Sequence, residues 1–547
     1  MPKLKTFRSA PCSAGLLSAF FISTPSVIFA AVHGATEQGN IGLFNVRDFR
    51  LTTGACTDCN APAQALWYFQ DDLVVTPKTS PAGFDPSLPV QDDVRAWAAQ
   101  HPADGGKEFP TLLWLGSPHM LTGTLDAEGN TLTLPDQQSV PFAVTPKIPA
   151  NLSYYDTSSV QHFAGRTLQM RGTLGDDGFV ARTIWPADYA LDLHALTLQP
   201  LQGDETLLSL VRQDGAQPAA PLKTRLLWQR DETAPRNWNG KPVLAVMLNG
   251  AQGDDDEAHG GHFAMVTGAF GSKGEWDHWL VNNFYSLGSV SEKGIIAAML
   301  PMDAYLADLN SGQAWYRPSY MLVAVLKQPR AAQHVQGAMA RVYNRFYRQD
   351  FPYHHAMANC TGISMDTLRS LDWNIPRQGP TNALKALVAL PFMAIKDRSL
   401  ASGEQAFDYL MAEQTKLYPF VAFDAIGRDL LERISTGKAG NSGLDALLAD
   451  DVEALLYVRI PQFPSSRVFG QAPVASLDEY MSRVPEHRAE WKIVPVPPRH
   501  FPEELKDPNA VANGYRPSQV ATLAYAGVIG LGVLGAAARL IRRRKSI

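Results

Sequence analysis

The feature of this sequence that most constrains its fold is a change of hydrophobic pattern near residue 330. Before that point, apolar runs bounded by turn residues predict strands at 242–248, 261–270, 276–285 and 320–326. After it, apolar residues at helical spacing predict helices at 332–347, 361–371, 381–395, 404–417 and 444–456. Strands that are followed by helices, rather than alternating with them, favour an α+β domain.

A second β-rich stretch precedes this domain. Residues 167–171 and 179–185 alternate between polar and apolar side chains, and the turn Gly175-Asp176-Asp177-Gly178 joins them. This pattern predicts a β-hairpin. We expect a small barrel or sandwich over 40–235. Its role could equally be binding, spacing or chemistry.

The N-terminus has the pattern of an export signal. Lys3, Lys5 and Arg8 precede an apolar stretch at 14–22, and Ala30 offers a small residue for cleavage. The alternative is an uncleaved N-terminal anchor. Either interpretation predicts that the body of the protein is exported.

The C-terminus predicts a membrane anchor. Residues 520–538 carry no charged side chain, and as a helix they would span roughly 28 Å of a hydrocarbon core about 30 Å thick. The basic tail at 539–547 would stay cytoplasmic and leave the body outside. The expectation is a single-pass inner-membrane protein with a periplasmic body and the membrane as a partner; a buried core helix is the alternative.

Composition narrows the class of protein. The chain has 547 residues, a net charge of −5 and four cysteines. This length accommodates two to four domains. The absence of a broad basic excess argues against nucleic acid as a partner, and the cysteine count excludes a disulfide-dense scaffold.

The cysteines fall into two groups. Cys56 and Cys59 form a C-x-x-C pair, which predicts a structural disulfide in an oxidising compartment, with a redox pair as the alternative. Cys12 would leave with the signal, so Cys360 remains as an odd thiol. Such a thiol indicates a nucleophile or an intermolecular bridge, whereas a plain buried cysteine is the ordinary alternative.

The surroundings of Cys360 favour the nucleophile. Asn359 and Cys360 directly precede a helical pattern, so the thiol would lie at the first turn. Free N–H groups and the helix dipole at that position favour a thiolate, and the same N–H groups could bind an oxyanion.

A thiol nucleophile needs a base and an orienting group. His262 follows two glycines at the start of a predicted strand and is the candidate base. If the next hairpin turn centres near residue 272, Asn282 lies opposite His262 and would orient the imidazole. Asn283 and His278 are the alternatives.

These residues resemble the circularly permuted papain-like group in their order along the chain. A histidine lies on one strand, a polar residue lies on the next strand, and an Asn-Cys pair begins a later helix. Members of this group are the permuted relatives of the NlpC/P60 peptidases, including lecithin:retinol acyltransferase-like proteins. The resemblance covers about 240–380, and the spacing of 20 residues from His262 to Asn282 is longer than is usual in the group. It implies peptidase, amidase, acyltransferase or thioesterase chemistry on an amide or ester bond, with no cofactor.

The predicted fold class is therefore α+β, with an N-terminal β-rich barrel or sandwich domain, a permuted papain-like domain and a single C-terminal transmembrane helix. The expected ranges are a signal peptide at 1–30, a β-rich domain at 40–235, a catalytic domain at 240–460, a Pro-rich stalk at 461–518, a transmembrane helix at 520–538 and a cytoplasmic tail at 539–547.

The expected substrate is an envelope peptide, glycopeptide or lipid. Two other interpretations stay open. The acidic run at 254–257 with His259 and His262, together with His354 and His355, could bind a metal, although no metal-binding motif is present and a solvated loop is the commoner outcome. The protein could also be a non-enzymatic, membrane-anchored binding or scaffold protein.

Overall fold

The computed structural model describes residues 32–33, 40–45, 50–51, 59–60, 73–77, 84–85, 87–101, 113–115, 119–147, 154–286, 297–347, 350–437, 443–465, 468–492, 520–524, 526–527 and 530. The predicted signal peptide, Cys56 and the basic tail lie outside these residues.

The strands are numbered in chain order. They are β1 Val32–His33, β2 Asn40–Ile41, β3 Phe44–Asn45, β4 Arg50–Leu51, β5 Cys59–Asn60, β6 Leu73–Pro77, β7 Leu113–Leu115, β8 His119–Leu125, β9 Thr131–Thr133, β10 Ser139–Val144, β11 Thr167–Gly175, β12 Gly178–Ala181, β13 Trp185–Pro186, β14 Lys223–Gln229, β15 Pro242–Asn249, β16 His262–Ala269, β17 Leu280–Asn283, β18 Ala298–Pro301, β19 Ser319–Leu326 and β20 Val452–Ile460.

The helices are numbered in the same way. They are α1 Val90–Gln100, α2 Thr157–Phe163, α3 Leu207–Gly215, α4 Met302–Ala307, α5 Arg330–Tyr347, α6 Cys360–Ser370, α7 Ala383–Lys396, α8 Leu400–Met411, α9 Gln414–Leu417, α10 Pro419–Thr436, α11 Gly443–Asp451 and α12 Leu477–Arg483.

A large, mainly antiparallel sheet forms the centre of the structure. Its strand order is β14-β20-β19-β15-β16-β17-β18-β6-β7-β4, with β5 paired to β6. The central strands β15, β17 and β19 are buried at every position, because both faces of the sheet are covered, and most of their residues are apolar. On β15, Leu244 and Val246 contact the core on the helical side, whereas Val243 and Ala245 contact the core on the other side.

The other face of this sheet is covered by a closed five-stranded barrel. Its strands pair in the order β8-β9-β10-β12-β11, and β11 pairs back to β8. The β11–β12 hairpin turns between Gly175 and Gly178, as the sequence predicts. Barrel residues such as Leu121 and Phe179 belong to the same hydrophobic cluster as Val243 of the central sheet.

Helices α5, α6 and α10 cover the opposite face of the sheet. Val335 of α5, Leu368 of α6 and Phe423 of α10 share one buried cluster with Phe263 and Met265 of β16. The N-terminus of α6 is thereby directed at the start of β16, which positions the candidate site.

The predicted fold class is wrong in its single C-terminal transmembrane helix. Among the residues that the structure describes, no helix is long and apolar enough to cross a membrane. The chain is α+β with the closed barrel described above.

The predicted helix at 444–456 is also wrong in its second half. Helix α11 ends at Asp451 and the chain continues as β20, which pairs with β14 and β19. Leu455 and Leu456 face opposite sides of the sheet, and both are buried, so pairing and burial outweigh the local helical pattern. Within the predicted stalk, Phe463 is buried in the barrel-side core and Ser476 caps α12.

Candidate active site

Asn359 fixes the beginning of α6 and hence the position of Cys360. It is the N-cap, and its side-chain oxygen accepts a hydrogen bond from the Gly362 N–H at 2.8 Å. Its side-chain amide donates to the carbonyls of His355 at 2.8 Å and Leu417 at 3.1 Å. Cys360 is therefore the first residue of a firmly capped helix, where the helix dipole favours a negative charge.

The Cys360 thiol is buried and surrounded by donors. The Thr361 hydroxyl oxygen lies 3.8 Å from the sulfur. The backbone N–H groups of Phe263 and Thr361 and the Tyr353 hydroxyl are also close enough to favour the charged form of the thiol. The Cys360 N–H donates to the Tyr353 hydroxyl at 3.2 Å. Burial raises the pKa of the thiol, and these donors oppose that effect.

His262 is the first residue of β16, and its imidazole is held by Asn283. The ring Nε2 hydrogen-bonds to the side-chain oxygen of Asn283. Because an amide oxygen only accepts, Nε2 carries the proton and Nδ1 is the basic nitrogen. Burial and the positive charge of Arg317 lower the pKa of His262 to about 3, while the bond to Asn283 acts in the opposite direction.

The structure brings the thiol to the strand that carries the histidine. The Phe263 N–H that contacts the Cys360 sulfur belongs to the residue after His262. On the other side, the Tyr285 ring packs against His262 at 6.1 Å and against Tyr353 at 5.7 Å. The thiol thus lies beside the backbone at the start of β16, the strand whose first residue is His262, and the His262–Asn283 pair lies at the same end of the sheet.

Asn282, the predicted orienting residue, lies elsewhere. Its side chain exchanges hydrogen bonds of 3.0 Å with Gln336 of α5 and donates to the Met265 carbonyl at 3.3 Å. The pairing Met265↔Asn282 puts Tyr285, not Asn282, opposite His262, because the hairpin turn centres between 273 and 274 and not near 272. Asn283 therefore lies on the side of the sheet that His262 occupies.

His278, the other alternative, is also remote from His262. Its Nε2 bonds to the Ala269 carbonyl at 2.9 Å, and its Nδ1 lies 3.6 Å from Asp277. Both contacts lie in the hairpin connection, beyond the far end of β16. His278 therefore stabilises the turn.

Two residues of the site were missed by the sequence analysis. Tyr353, in the loop before α6, accepts a hydrogen bond from the Cys360 N–H, and Arg317 lies two residues before β19. Arg317 has no local sequence signal because it meets the site through Gly250, 67 residues earlier in the chain, and Tyr353 has none because the loop before α6 has no regular pattern.

The remaining predictions concern metals and the disulfide. Among the described residues, no group of three His, Cys, Asp or Glu side chains is arranged to hold a metal ion. His259 instead lies 3.4 Å from Asp256. The predicted bridge between Cys56 and Cys59 involves Cys56, which lies outside the described residues.

Comparisons with known proteins give no family for this chain. No protein-family model matches it, and no curated protein or solved structure matches it. Any function must therefore be argued from the site itself.

Proposed function

We propose that the protein is a cysteine hydrolase or acyltransferase that acts on an amide or ester bond. Cys360 is the nucleophile, His262 the general base and Asn283 the residue that orients the imidazole. The observation that carries the proposal is the hydrogen bond of His262 Nε2 to Asn283, at the end of the sheet where Cys360 begins a helix capped by Asn359. The order of these residues along the chain is also that of the permuted papain-like group.

The proposed reaction begins with a neutral thiol and a neutral imidazole. As the Cys360 sulfur attacks the acyl carbon, its proton passes to His262 Nδ1, and Asn283 stabilises the resulting imidazolium. The tetrahedral oxyanion accepts hydrogen bonds from the Tyr353 hydroxyl and from N–H groups at the start of α6. His262 then returns the proton to the leaving amine or alkoxide, and a thioester remains.

The second half of the reaction resolves the thioester. Water or another acceptor loses a proton to His262 and attacks the thioester carbon. The thiolate leaves and recovers the proton, which releases an acid or a transferred acyl product. Every proton in this cycle is held by Cys360 or His262, so the residues present are sufficient.

The test is acylation of Cys360 by a 4-nitrophenyl ester, followed by intact mass spectrometry and peptide mapping. The wild-type protein should gain one hydroxylamine-sensitive acyl group at Cys360. His262→Gln and Asn283→Ala should slow acylation, whereas Asn282→Ala should not when compared at equal folded fraction. Acylation of Cys360 that is equally fast in His262→Gln would overturn the proposal and favour a binding protein.

A further inference from the structure

Arg317 is a buried cation beside this site that the proposed reaction does not use. Its side chain is 1% exposed. The guanidinium donates from Nη1 to the Gly250 carbonyl at 3.1 Å, and from Nε to the Gln313 side-chain oxygen at 3.1 Å; Nη2 donates to that same oxygen. Both acceptors are neutral.

Among the residues that the structure describes, no carboxylate lies within ion-pair distance of Arg317, although the charge of Asp255 acts on it from further away. Other buried arginines of the protein are paired, as Arg171 is with Asp303 at 2.6 Å and Arg341 with Asp93 at 2.9 Å. A buried charge without a counter-ion is costly, so proteins rarely keep one without a use.

The hydrogen-bond count of Arg317 shows what it can still bind. A guanidinium has five N–H groups, and three of them are engaged by Gly250 and Gln313. One N–H on Nη1 and one on Nη2 have no partner among the described residues. Nη1 and Nη2 are the two nitrogens that a carboxylate engages end-on, so these N–H groups could receive its two oxygens.

Strand pairing places this fork at the reactive end of the sheet. Gly250, which Arg317 contacts, follows Asn249, and Asn249 pairs with His262 of β16. The Tyr305 hydroxyl also hydrogen-bonds to Asn249. The positive charge of Arg317 is close enough to act on the His262 imidazole and to be acted on by Cys360.

We propose that Arg317 binds a carboxylate of the substrate, so that the enzyme acts on an amide or ester whose reacting carbon lies within a bond or two of a free carboxylate. This inference rests on the proposed function, because it requires Cys360 to be the nucleophile. It makes Arg317 a specificity-determining residue, and the bound carboxylate supplies the missing counter-ion.

Two alkylating reagents of nearly equal size test this inference. Iodoacetate carries a carboxylate next to its reacting carbon, and iodoacetamide carries a neutral amide there. The rate of labelling of Cys360 by each reagent is measured by peptide mass spectrometry, in the folded protein and in urea. Folding should raise the ratio of the iodoacetate rate to the iodoacetamide rate at Cys360 by about tenfold or more, as expected for a charge-assisted hydrogen bond.

Variants then test whether Arg317 causes the raised ratio of labelling rates. Arg317→Gln should return the ratio to its value in urea, and Arg317→Lys should keep part of the preference. Arg428→Gln, which removes an exposed charge on α10, should leave it unchanged. The unfolding midpoint of each variant identifies any that fail to fold.

The outcomes separate this inference from the proposed function. The role of Arg317 would be overturned if the ratio of iodoacetate to iodoacetamide labelling rates is the same in the folded wild-type protein as in urea. It would also be overturned if the raised ratio persists in folded Arg317→Gln. Failure of the proposed function would appear differently, as iodoacetamide labelling of Cys360 that does not depend on His262.

Discussion

Adjacent asparagines on β17 give the sharpest test of the site, because the structure assigns them opposite roles. The side chain of Asn283 holds His262, whereas that of Asn282 joins the sheet to Gln336 of α5. Alanine at either position removes the same atoms. We therefore expect Asn283→Ala to slow the reaction of Cys360 in the folded protein, whereas Asn282→Ala should lower stability and leave the reactivity of the folded protein unchanged.

The magnitudes follow from the contacts. A hydrogen bond to a charged group contributes about 1.5–3 kcal/mol, so losing the Asn283 bond to the imidazolium should slow alkylation of Cys360 by about 10- to 100-fold. Asn282→Ala removes three hydrogen bonds of 3.0–3.3 Å and leaves the Gln336 amide with the Met299 sulfur as its remaining acceptor. At about 1 kcal/mol per bond, the free energy of unfolding should fall by about 2–4 kcal/mol.

The assay pairs two measurements on each variant. Iodoacetamide labelling of Cys360 is followed by peptide mass spectrometry at pH 7, and the free energy of unfolding is measured in urea under the same conditions. The reasoning is refuted if Asn282→Ala slows labelling of the folded protein as much as Asn283→Ala does. It is equally refuted if Asn283→Ala leaves the labelling rate unchanged.

Four further predictions concern pH and buried contacts. Because burial raises the pKa of Cys360 and lowers that of His262 to about 3, both groups should be neutral in the resting protein. The rate at which Cys360 is labelled should therefore rise steadily from about pH 6 to 9. A rate that reaches a plateau below about pH 7 would contradict this. His262 takes up a proton near pH 6.5 in the unfolded chain but only near pH 3 in the folded protein, so acid favours unfolding. In urea unfolding, the stability of the wild-type protein should therefore fall relative to that of His262→Gln as the pH drops from 6 to 4, by up to about 1.4 kcal/mol per pH unit. Tyr353→Phe leaves the buried Cys360 N–H without its acceptor and should cost about 1–3 kcal/mol in the same measurement, with slower Cys360 labelling; unchanged values would argue against the contact. Asp303→Asn breaks the buried pair with Arg171 and should lower the unfolding free energy by about 3–5 kcal/mol, whereas an effect below 1 kcal/mol would show that the pair is solvated.

Local patterns in the sequence predicted the elements that carry the site. Strands β15, β16 and β19 and helices α5 and α6 lie where apolar spacing placed them, and Cys360 lies in the first turn of α6, as predicted. These features depend on neighbouring residues, so one sequence is enough to find them. The C-terminal half of the helix at 444–456 could not be predicted because pairing with two distant strands decides it.

The rest of the site depends on register and on distant contacts. The hairpin centres between 273 and 274 rather than at 272, so the residue opposite His262 moves by three positions. Because successive side chains on a strand face opposite sides, this odd shift puts Asn283 instead of Asn282 on the side of His262. Arg317 contacts the site through Gly250, 67 residues earlier in the chain, and no local motif encodes such a contact. Tyr353 lies only seven residues before Cys360, but the irregular loop between them gives no periodic pattern from which the contact could be predicted.

The shared core of the barrel and the central sheet has a consequence for how the protein unfolds. The barrel strands bury the same cluster as one face of β15 and β16, and the Arg171–Asp303 pair joins the two parts. A fragment beginning at β15 would leave that apolar face in water and would be prone to aggregate. The barrel thus covers the face of the sheet opposite the helices, and the barrel and the sheet are expected to unfold in a single cooperative transition.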